Sequence, residues 1–315
     1  MKVLFVSSGN NKNGISPIVF NQGESIKQQG IDIDYFTIKG KGLLGYIQNI
    51  PKIRVKLKRG NYDLVHAHYS LAALAVTLSC PKVPLVVSFM GSDSKTNLFY
   101  RLLIKTCYIL IWSKVIVKAE EMKDNIKLKQ AAVIPNGVEI KKFKKKDKKS
   151  IKKSLALSEN KSYLLFLSNP DRYEKNYSLA LKAYHLLNDN AIELLPVYDK
   201  PHSEVINYFH ASDLLLLTSL WEGSPNAVKE AMACNLPVVS TDVGNVKWLF
   251  GNDAGHFITS LDPKDVAEKI KAALDYSKKF GRTNGRKRII ELGLDSETIA
   301  KKIINVYKEV LNKTV

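Results

Sequence analysis

With 315 residues, 45% of them hydrophobic and 25% charged, the chain has the composition of a globular protein with a substantial core and suits one large or two medium domains. Cys80, Cys107 and Cys234 stand far apart in apolar segments with no CxxC pair, which excludes a disulfide scaffold and reads as reduced core residues of a cytosolic protein. The net charge of +18 is uneven: residues 1–150 hold 26 Lys and Arg against 10 Asp and Glu, so the first half favours an anionic partner such as membrane lipid, a phosphate-bearing acceptor or nucleic acid. Lys2 is followed by too short an apolar run for a signal peptide. No apolar stretch approaches the roughly 20 residues of a membrane span, so a soluble or peripheral protein is expected.

In chain order, Val3 to Val6 reads as a strand, followed by SSGNNKNG and a helix with Ser16 as N-cap, Pro17 in its first turn and Gly30 at its end. Ile31 to Ile38 alternates as a strand. Leu43 to Leu57 mixes apolar positions with Lys52, Arg54, Lys56, Lys58 and Arg59, which suits either a basic amphipathic surface for anionic lipid or acceptor, or a solvated outer helix. Asp63 to His68 reads as a strand that brings His66 and His68 to one side of its end; nothing nearby completes a zinc site around them.

Val83 to Phe89 is a further strand, with Met90, Gly91, Ser92 and Asp93 after it. Gly91 can bring backbone close to a ligand, and Asp93 can accept a hydroxyl hydrogen bond or cap the next helix. Leu98 to Trp112 is an apolar helix interrupted by Arg101 and Lys105, too charged to span a bilayer, for which a core position is preferred over a membrane-facing one. Strands are expected at Lys114 to Val117 and from Ala132. The run KKFKKKDKK, Lys141 to Lys149, marks a break in composition and reads as a solvated, extended linker, since like charges repel and a single Phe143 is poor interleaving for nucleic acid. Beyond it lie strands at Tyr163 to Leu167 and Ala191 to Val197, a helix from Asp262-Pro263 to about Phe280, and a terminal helix over Ser296 to Leu311.

One stretch organises the rest, Asp213 to Gly244. Leu214 to Leu217 is continuously apolar, as a strand covered on both faces requires, and Pro237 to Ser240 reads as its parallel neighbour. Between them a helix is expected with Ser224 as N-cap and Pro225 as its first residue. Open parallel sheets bind ligands beyond the carboxyl ends of their strands, and a helix that starts there offers unpaired N–H groups to an anion. Glu222 precedes this helix and Glu230 lies within it, on the same face as Asn226. Carboxylates beside a phosphate site make sense as acceptors of hydrogen bonds from sugar and ribose hydroxyls.

The spacing from Glu222 to Glu230, followed by AMACNLPVVSTDVGN, closely resembles the signature of the retaining family 4 glycosyltransferases (glycosyl transferases group 1), strongly from about Leu164 to Gly244 and loosely before that. The resemblance implies a GT-B fold, α/β with two Rossmann-like domains whose parallel sheets face a central cleft. Residues 1–140 would form the acceptor-side domain, 141–155 a basic linker, 156–295 the nucleotide-sugar domain, and 296–315 a helix crossing back. It implies a nucleoside-diphosphate sugar as co-substrate, with no further cofactor and no metal.

Carried over residue by residue, Glu230 would bind ribose, Glu222 would orient the sugar, and backbone from Gly223 through Ser224, Pro225 and Asn226 to Ala227 would meet sugar and phosphate. Lys175, in Glu174-Lys175-Asn176, would stabilise the leaving diphosphate, helped by Arg172, which lies nearer to that pair than the family pattern has it. Gly14 matches the glycine-rich loop near the donor phosphates, with Asn13 where an adjacent glycine is usual. Tyr198 is positioned to stack on the base. His68, within a segment like the family's HxHY, would contact the acceptor or serve structural hydrogen bonding. The family's histidine before Gly91 is Met90 here, so that imidazole contact is not carried over. The expected activity is transfer to a hydroxyl of a glycan or lipid-linked saccharide in cell-surface polysaccharide assembly, in the cytoplasm or peripherally on the inner face of the membrane. The competing readings are another GT-B activity, such as a phosphorylase or epimerase, and a non-catalytic protein of the same fold that binds polyanions or membrane; nucleic acid is not the expected partner.

Overall fold

A computed structural model describes residues 1–10, 14–40, 42–91, 98–144 and 146–313. By internal contacts the chain divides into two units, Met1–Gly137 with Ser296–Val315, and Val138–Asp295. In the first unit, strands β1 (Lys2–Ser8), β2 (Asp32–Ile38), β3 (Leu64–His68), β4 (Leu85–Ser88), β5 (Lys114–Val117) and β6 (Ala132–Val133) form one parallel sheet in the order β2-β1-β3-β4-β5-β6. Alternation along these strands sorts side chains to two faces. Leu4, Val6, Val65, Ala67, Leu85, Val87, Val115 and Val117 pack with Ile53, Ala72, Val76, Ile104, Cys107 and Met122 from the helices on one face. The opposite face includes Phe5 and His66. There His66 Nδ1 lies 2.6 Å from the hydroxyl of Tyr307, in the terminal helix Ser296–Asn312, so residues 296–312 complete this unit's core.

The second unit repeats the plan with β7 (Ser162–Phe166), β8 (Ile192–Pro196), β9 (Leu214–Leu217), β10 (Val238–Thr241) and β11 (His256–Thr259), all parallel, in the order β11-β10-β9-β7-β8. Leu164, Phe166, Leu214, Leu216 and Val239 pack against helices Tyr177–Leu187 and Pro263–Phe280. Leu214 and Leu215 are inaccessible to solvent, and burying each such leucine contributes on the order of 2 kcal/mol. That is why the run carries no polar alternation. Both sheets have the parallel, helix-covered form expected of two Rossmann-like halves.

Four local expectations are corrected. Ser16 stands at the helix start, before Pro17–Lys27, but its hydroxyl makes no capping bond. The basic segment after β2 is two helices, Gly42–Ile47 and Ile50–Gly60; Asn49 Nδ2 donates to the carbonyls of Lys39 (2.8 Å) and Gly45 (2.7 Å) where they join. Cys80 is exposed, and only Cys107 and Cys234 are core residues. Finally, the lysine run is not extended: Ile140–Phe143 is a 3-10 turn and Lys148–Ser154 a helix capped by Asp147, which accepts from Ser150 N at 2.7 Å. Lys152 is buried there, donating to the carbonyls of Lys161 (2.6 Å) and Glu159 (3.3 Å) with its ammonium 5.0 Å from the Tyr163 ring centre.

Helix Leu98–Leu110 is only half core. Ile104 and Cys107 are buried, whereas Leu102, Ile109 and Leu110 are 63%, 65% and 73% exposed. Among the described residues no helix is long and apolar enough to cross a membrane.

Candidate functional site

In the second sheet β7 lies between β9 and β8, so the strand order reverses there and the loops leaving β7 and β9 diverge to helices on opposite faces. Such a switch point opens a crevice at the carboxyl ends of the strands. The loop after β7 carries Lys175, at the end of the 3-10 turn Tyr173–Lys175, and the loop after β9 carries Glu222. These two side chains form an ion pair across the switch point, and Ser219 Oγ donates to the same Glu222 oxygen at 2.9 Å. With side chains only 17% and 16% exposed, the pair sits where charge-assisted bonds are stronger than at an open surface. Two donors tie the loops together: Leu220 N to Glu174 O at 2.8 Å, and the Thr218 hydroxyl, whose one proton is shared between the carbonyls of Lys175 and Asn176, both at 3.0 Å.

The helix after this loop spans Asn226–Ala233, and it begins one residue later than expected. Pro225, extended at φ −66° and ψ 118°, occupies the cap position, and Ser224 does not cap. A proline cannot satisfy the first-turn N–H groups with its side chain, so these donors lack a partner within the helix. Around them are buried oxygens that make no hydrogen bond among the described residues: Ser224 Oγ, Asn226 Oδ1 and Asn245 Oδ1. Native proteins pair such atoms, so three together mark a place that a polar ligand fits. Gly223 is held by Asn245 N, which donates to its carbonyl at 3.2 Å. Gly244 passes so near, at φ +57°, that a Cβ there would lie 2.2 Å from the Gly223 carbonyl oxygen.

Glu230 is not solitary. Its Oε1 meets His202 Nε2 at 2.9 Å, at the start of helix His202–Ala211, and this hydrogen bond raises the His202 pKa above its ordinary value while burial opposes the rise. Arg172 has its guanidinium bound to Glu174 and its side chain 56% exposed, so the cation expected to face a diphosphate is engaged by a neighbour. Burial alone would raise the Glu174 carboxyl, but its own backbone N–H and Arg172 outweigh it and hold the pKa below the usual range. Tyr198 follows β8 at the same edge and is largely exposed. Sequence reasoning missed His202, Ser219 and the aromatic pair Tyr173 and Trp221, whose ring centres are 6.1 Å apart beside the ion pair. Trp221 directly precedes Glu222, a signal that was available; His202 is distant in sequence and gave none.

In the first unit the order reverses between β1 and β3, and Gly14 (φ +77°) follows β1 with no atom of the described residues, its chain neighbours aside, within 4 Å of a Cβ built on it. The loops after β1 and β2 are joined through Asn10, which donates to Gly40 O (2.7 Å) and accepts from Gly40 N (2.9 Å). His68, at the end of β3, is 2% exposed, stacks on His66 with ring centres 4.3 Å apart, and has neither ring nitrogen bonded among the described residues. Burial, and then the Lys118 charge, drives its pKa well below the ordinary value; His66 is held neutral likewise and is bonded to Ser88 Oγ at 2.8 Å. Tyr69, next in the chain, sits at φ 82°, a strained backbone for a bulky residue. Gly91 follows β4 and Met90; Asp93 and Asn13 lie outside the described residues.

Asp32 and Asp34, two residues apart as a metal-binding carboxylate pair could be, lie inside β2 and not at a strand's carboxyl end. Asp34 there accepts from Tyr62 (2.6 Å) and Lys56 (3.1 Å). Among the described residues no three His, Cys, Asp or Glu side chains cluster as metal ligands.

Two parallel α/β sheets of this kind define the GT-B class, and solved structures agree. Sucrose-phosphate synthase of Thermosynechococcus elongatus superposes with a TM-score of 0.79 over 99% of both chains at 15% identity. Anabaena HepE, solved with UDP and glucose, gives 0.76 over 98% of this chain and 99% of its own at 18% identity. The profile described as Glycosyltransferase Family 4 matches residues 12–142, and that described as Glycosyl transferases group 1 matches 171–276. One profile falls on each unit, and the chain belongs to the family 4 glycosyltransferases.

Among sequence relatives, TuaC of Bacillus subtilis, a glycosyltransferase provisionally assigned to teichuronic acid biosynthesis, is 27% identical over 66% of this chain and 60% of its own. The UDP-Gal:alpha-D-GlcNAc-diphosphoundecaprenol alpha-1,3-galactosyltransferase of Escherichia coli is 26% identical over 66% of this chain and 65% of its own. The chain thus spans 60% to 65% of the length of these relatives.

Proposed function

We propose that the chain transfers a sugar from a nucleoside-diphosphate sugar to a hydroxyl of a glycan or lipid-linked saccharide, in cell-surface polysaccharide assembly, with retention of anomeric configuration and no metal ion. The observation that carries this reading is the Lys175–Glu222 pair beside the uncapped start of helix Asn226–Ala233, with the buried oxygens of Ser224 and Asn226 left unbonded among the described residues. The first-turn N–H groups and the Lys175 ammonium supply fixed positive charge for a diphosphate, the role a metal ion would otherwise take. Glu222, already accepting from Ser219, orients a sugar hydroxyl, and Glu230 accepts from ribose. Arg172 acts by fixing, through Glu174, the loop that carries Lys175. The acceptor oxygen bonds to the anomeric carbon on the face that the diphosphate leaves, and the acceptor's proton passes to the departing phosphate oxygen.

HepE was solved with UDP-glucose and the Escherichia coli relative is named for UDP-Gal, so uridine diphosphate sugars are the first donors to test. A cytoplasmic enzyme held peripherally on the membrane's inner face accounts for the exposed Leu102, Ile109 and Leu110 beside the positive excess of residues 1–150. The same surface supports the second reading, a non-catalytic protein that binds polyanions or membrane.

A thermal-shift panel of uridine, guanosine and adenosine diphosphate sugars, followed by NMR of the transferred product, separates the two. A donor at a hundred times its Kd should add about 2.7 kcal/mol of stability. No shift with any donor, with salt-sensitive binding to anionic vesicles, would leave the second reading standing.

A further inference from the structure

The lysine run 141–149 has no part in sugar transfer as described, yet some of its residues line an open cavity of about 810 Å³ within the second unit. Lys144, Lys146 and Lys148 contribute from this run, and Arg282 and Arg286 from the end of the unit's sequence. Among the described residues the cavity's lining offers one carboxylate, Asp147, which accepts from Ser150 N as a helix cap. Lys148 is neutralised by Asp213, but Lys146 meets only the neutral Asn207 Oδ1 at 2.8 Å, and Lys144 has no ion-pair partner among the described residues.

The two arginines are fixed and not neutralised. Arg282 donates to the carbonyls of Phe209 (3.4 Å) and His210 (2.9 Å). Arg286 donates to those of Ile140 (2.9 Å), Phe143 (2.7 Å) and Ala233 (3.2 Å). A guanidinium carries five N–H groups, so each fork retains donors. The positive field registers on His210, which burial, then Arg282 and Lys146, push down to about 4.

We propose that this cavity binds an anion bearing two or more phosphate groups. Lys144, Lys146, Arg282 and Arg286 outnumber the lining carboxylate of Asp147 by three charges, more than one phosphate balances, and planar guanidinium forks suit phosphate oxygens. The cavity lies at the Ala233–Cys234 end of helix Asn226–Ala233, and eight residues at 1.5 Å each put it roughly 12 Å from the end assigned to the sugar donor. It therefore stands apart from that assignment and does not depend on it. The phosphates belong either to a soluble compound or to a lipid headgroup, which share this chemistry.

The test titrates the full chain with inorganic diphosphate at low salt, and in a second arm with vesicles containing diacylglycerol pyrophosphate, a lipid with two phosphate groups, for the wild type, K144Q/K146Q and K175A. Both lysines are exposed, so K144Q/K146Q should keep the native melting temperature, and K144Q alone repeats the test if it does not. Diphosphate binding at the cavity should weaken about tenfold or more in K144Q/K146Q and persist in K175A. Vesicle binding lost in K144Q/K146Q without any diphosphate binding would assign the phosphates to lipid. Binding of both probes unchanged in K144Q/K146Q, or diphosphate binding abolished entirely by K175A with vesicle binding unaffected by K144Q/K146Q, would overturn the cavity. Loss confined to K175A speaks to the donor site, so the two assignments fail separately.

Discussion

His202 Nε2 and Glu230 Oε1 lie 2.9 Å apart across 28 residues of sequence, joining the helix after β8 to the helix after β9. The bond raises the His202 pKa above 6.5. A histidine with a raised folded pKa contributes stability that is fully present below its unfolded pKa and is lost as pH climbs through the folded one. The difference in unfolding free energy between wild type and His202→Ala should thus be largest below pH 6.5, about 1 kcal/mol, and should shrink toward alkaline pH. Denaturant melts from pH 5.5 to 9 measure it. A difference that stays constant across that range would mean that the charged pair contributes nothing.

Lys175 and Glu222 should separate kinetically from Glu230. If Lys175 neutralises a leaving diphosphate, Lys175→Ala lowers kcat by about a hundredfold or more with a modest change in KM, because the charge it meets develops in the transition state. Glu230→Ala instead raises the donor KM, since a ribose contact is made equally in ground and transition states. Steady-state kinetics with a uridine diphosphate sugar decide between them. An unchanged kcat in Lys175→Ala would dismiss its role, and an unchanged donor KM in Glu230→Ala would dismiss the ribose contact.

The elements around this site are legible where the signal is local. Leu214–Leu217 declares a doubly covered strand by its unbroken apolar run, and the polar cluster between it and Val238–Thr241 declares a loop and crossover helix. Ser224 does not cap, and the loop before it packs against Gly244 and Asn245 from the loop after β10, a tertiary contact that no local rule contains. Arg172 looks free by its charge alone, yet the carboxylate two residues on captures it. Charge counting makes the lysine run extended, because it omits Asp147 as a cap and the carbonyls and Tyr163 ring that take in Lys152. His202 with Glu230 is a contact of tertiary structure, invisible to spacing rules.

Gly244 should resist any side chain. At φ +57° a β-carbon is strained, and here it would also meet a backbone oxygen that cannot swing aside. Gly244→Ala should therefore destabilise by about 1–3 kcal/mol or push the Gly223 loop outward. Urea melts report the first outcome and donor thermal shift the second, as a smaller stabilisation than the wild type shows. A variant with wild-type stability and wild-type donor shift would contradict the close approach.

His68→Phe tests whether the buried ring is there for shape or for its nitrogens. Neither nitrogen is bonded among the described residues, so replacing the imidazole by a ring that keeps the stack on His66 removes a desolvation cost and should hold or raise stability at pH 7. The wild type must lose stability as pH falls below 6.5, because the unfolded chain takes up protons that the buried, strongly depressed His66 and His68 refuse. The variant should lose less, its slope reduced by about one proton over that window. If His68 also contacts the acceptor, transfer falls while stability does not. A stability loss of about 2 kcal/mol or more at pH 7 would instead show that its nitrogens are satisfied within the fold.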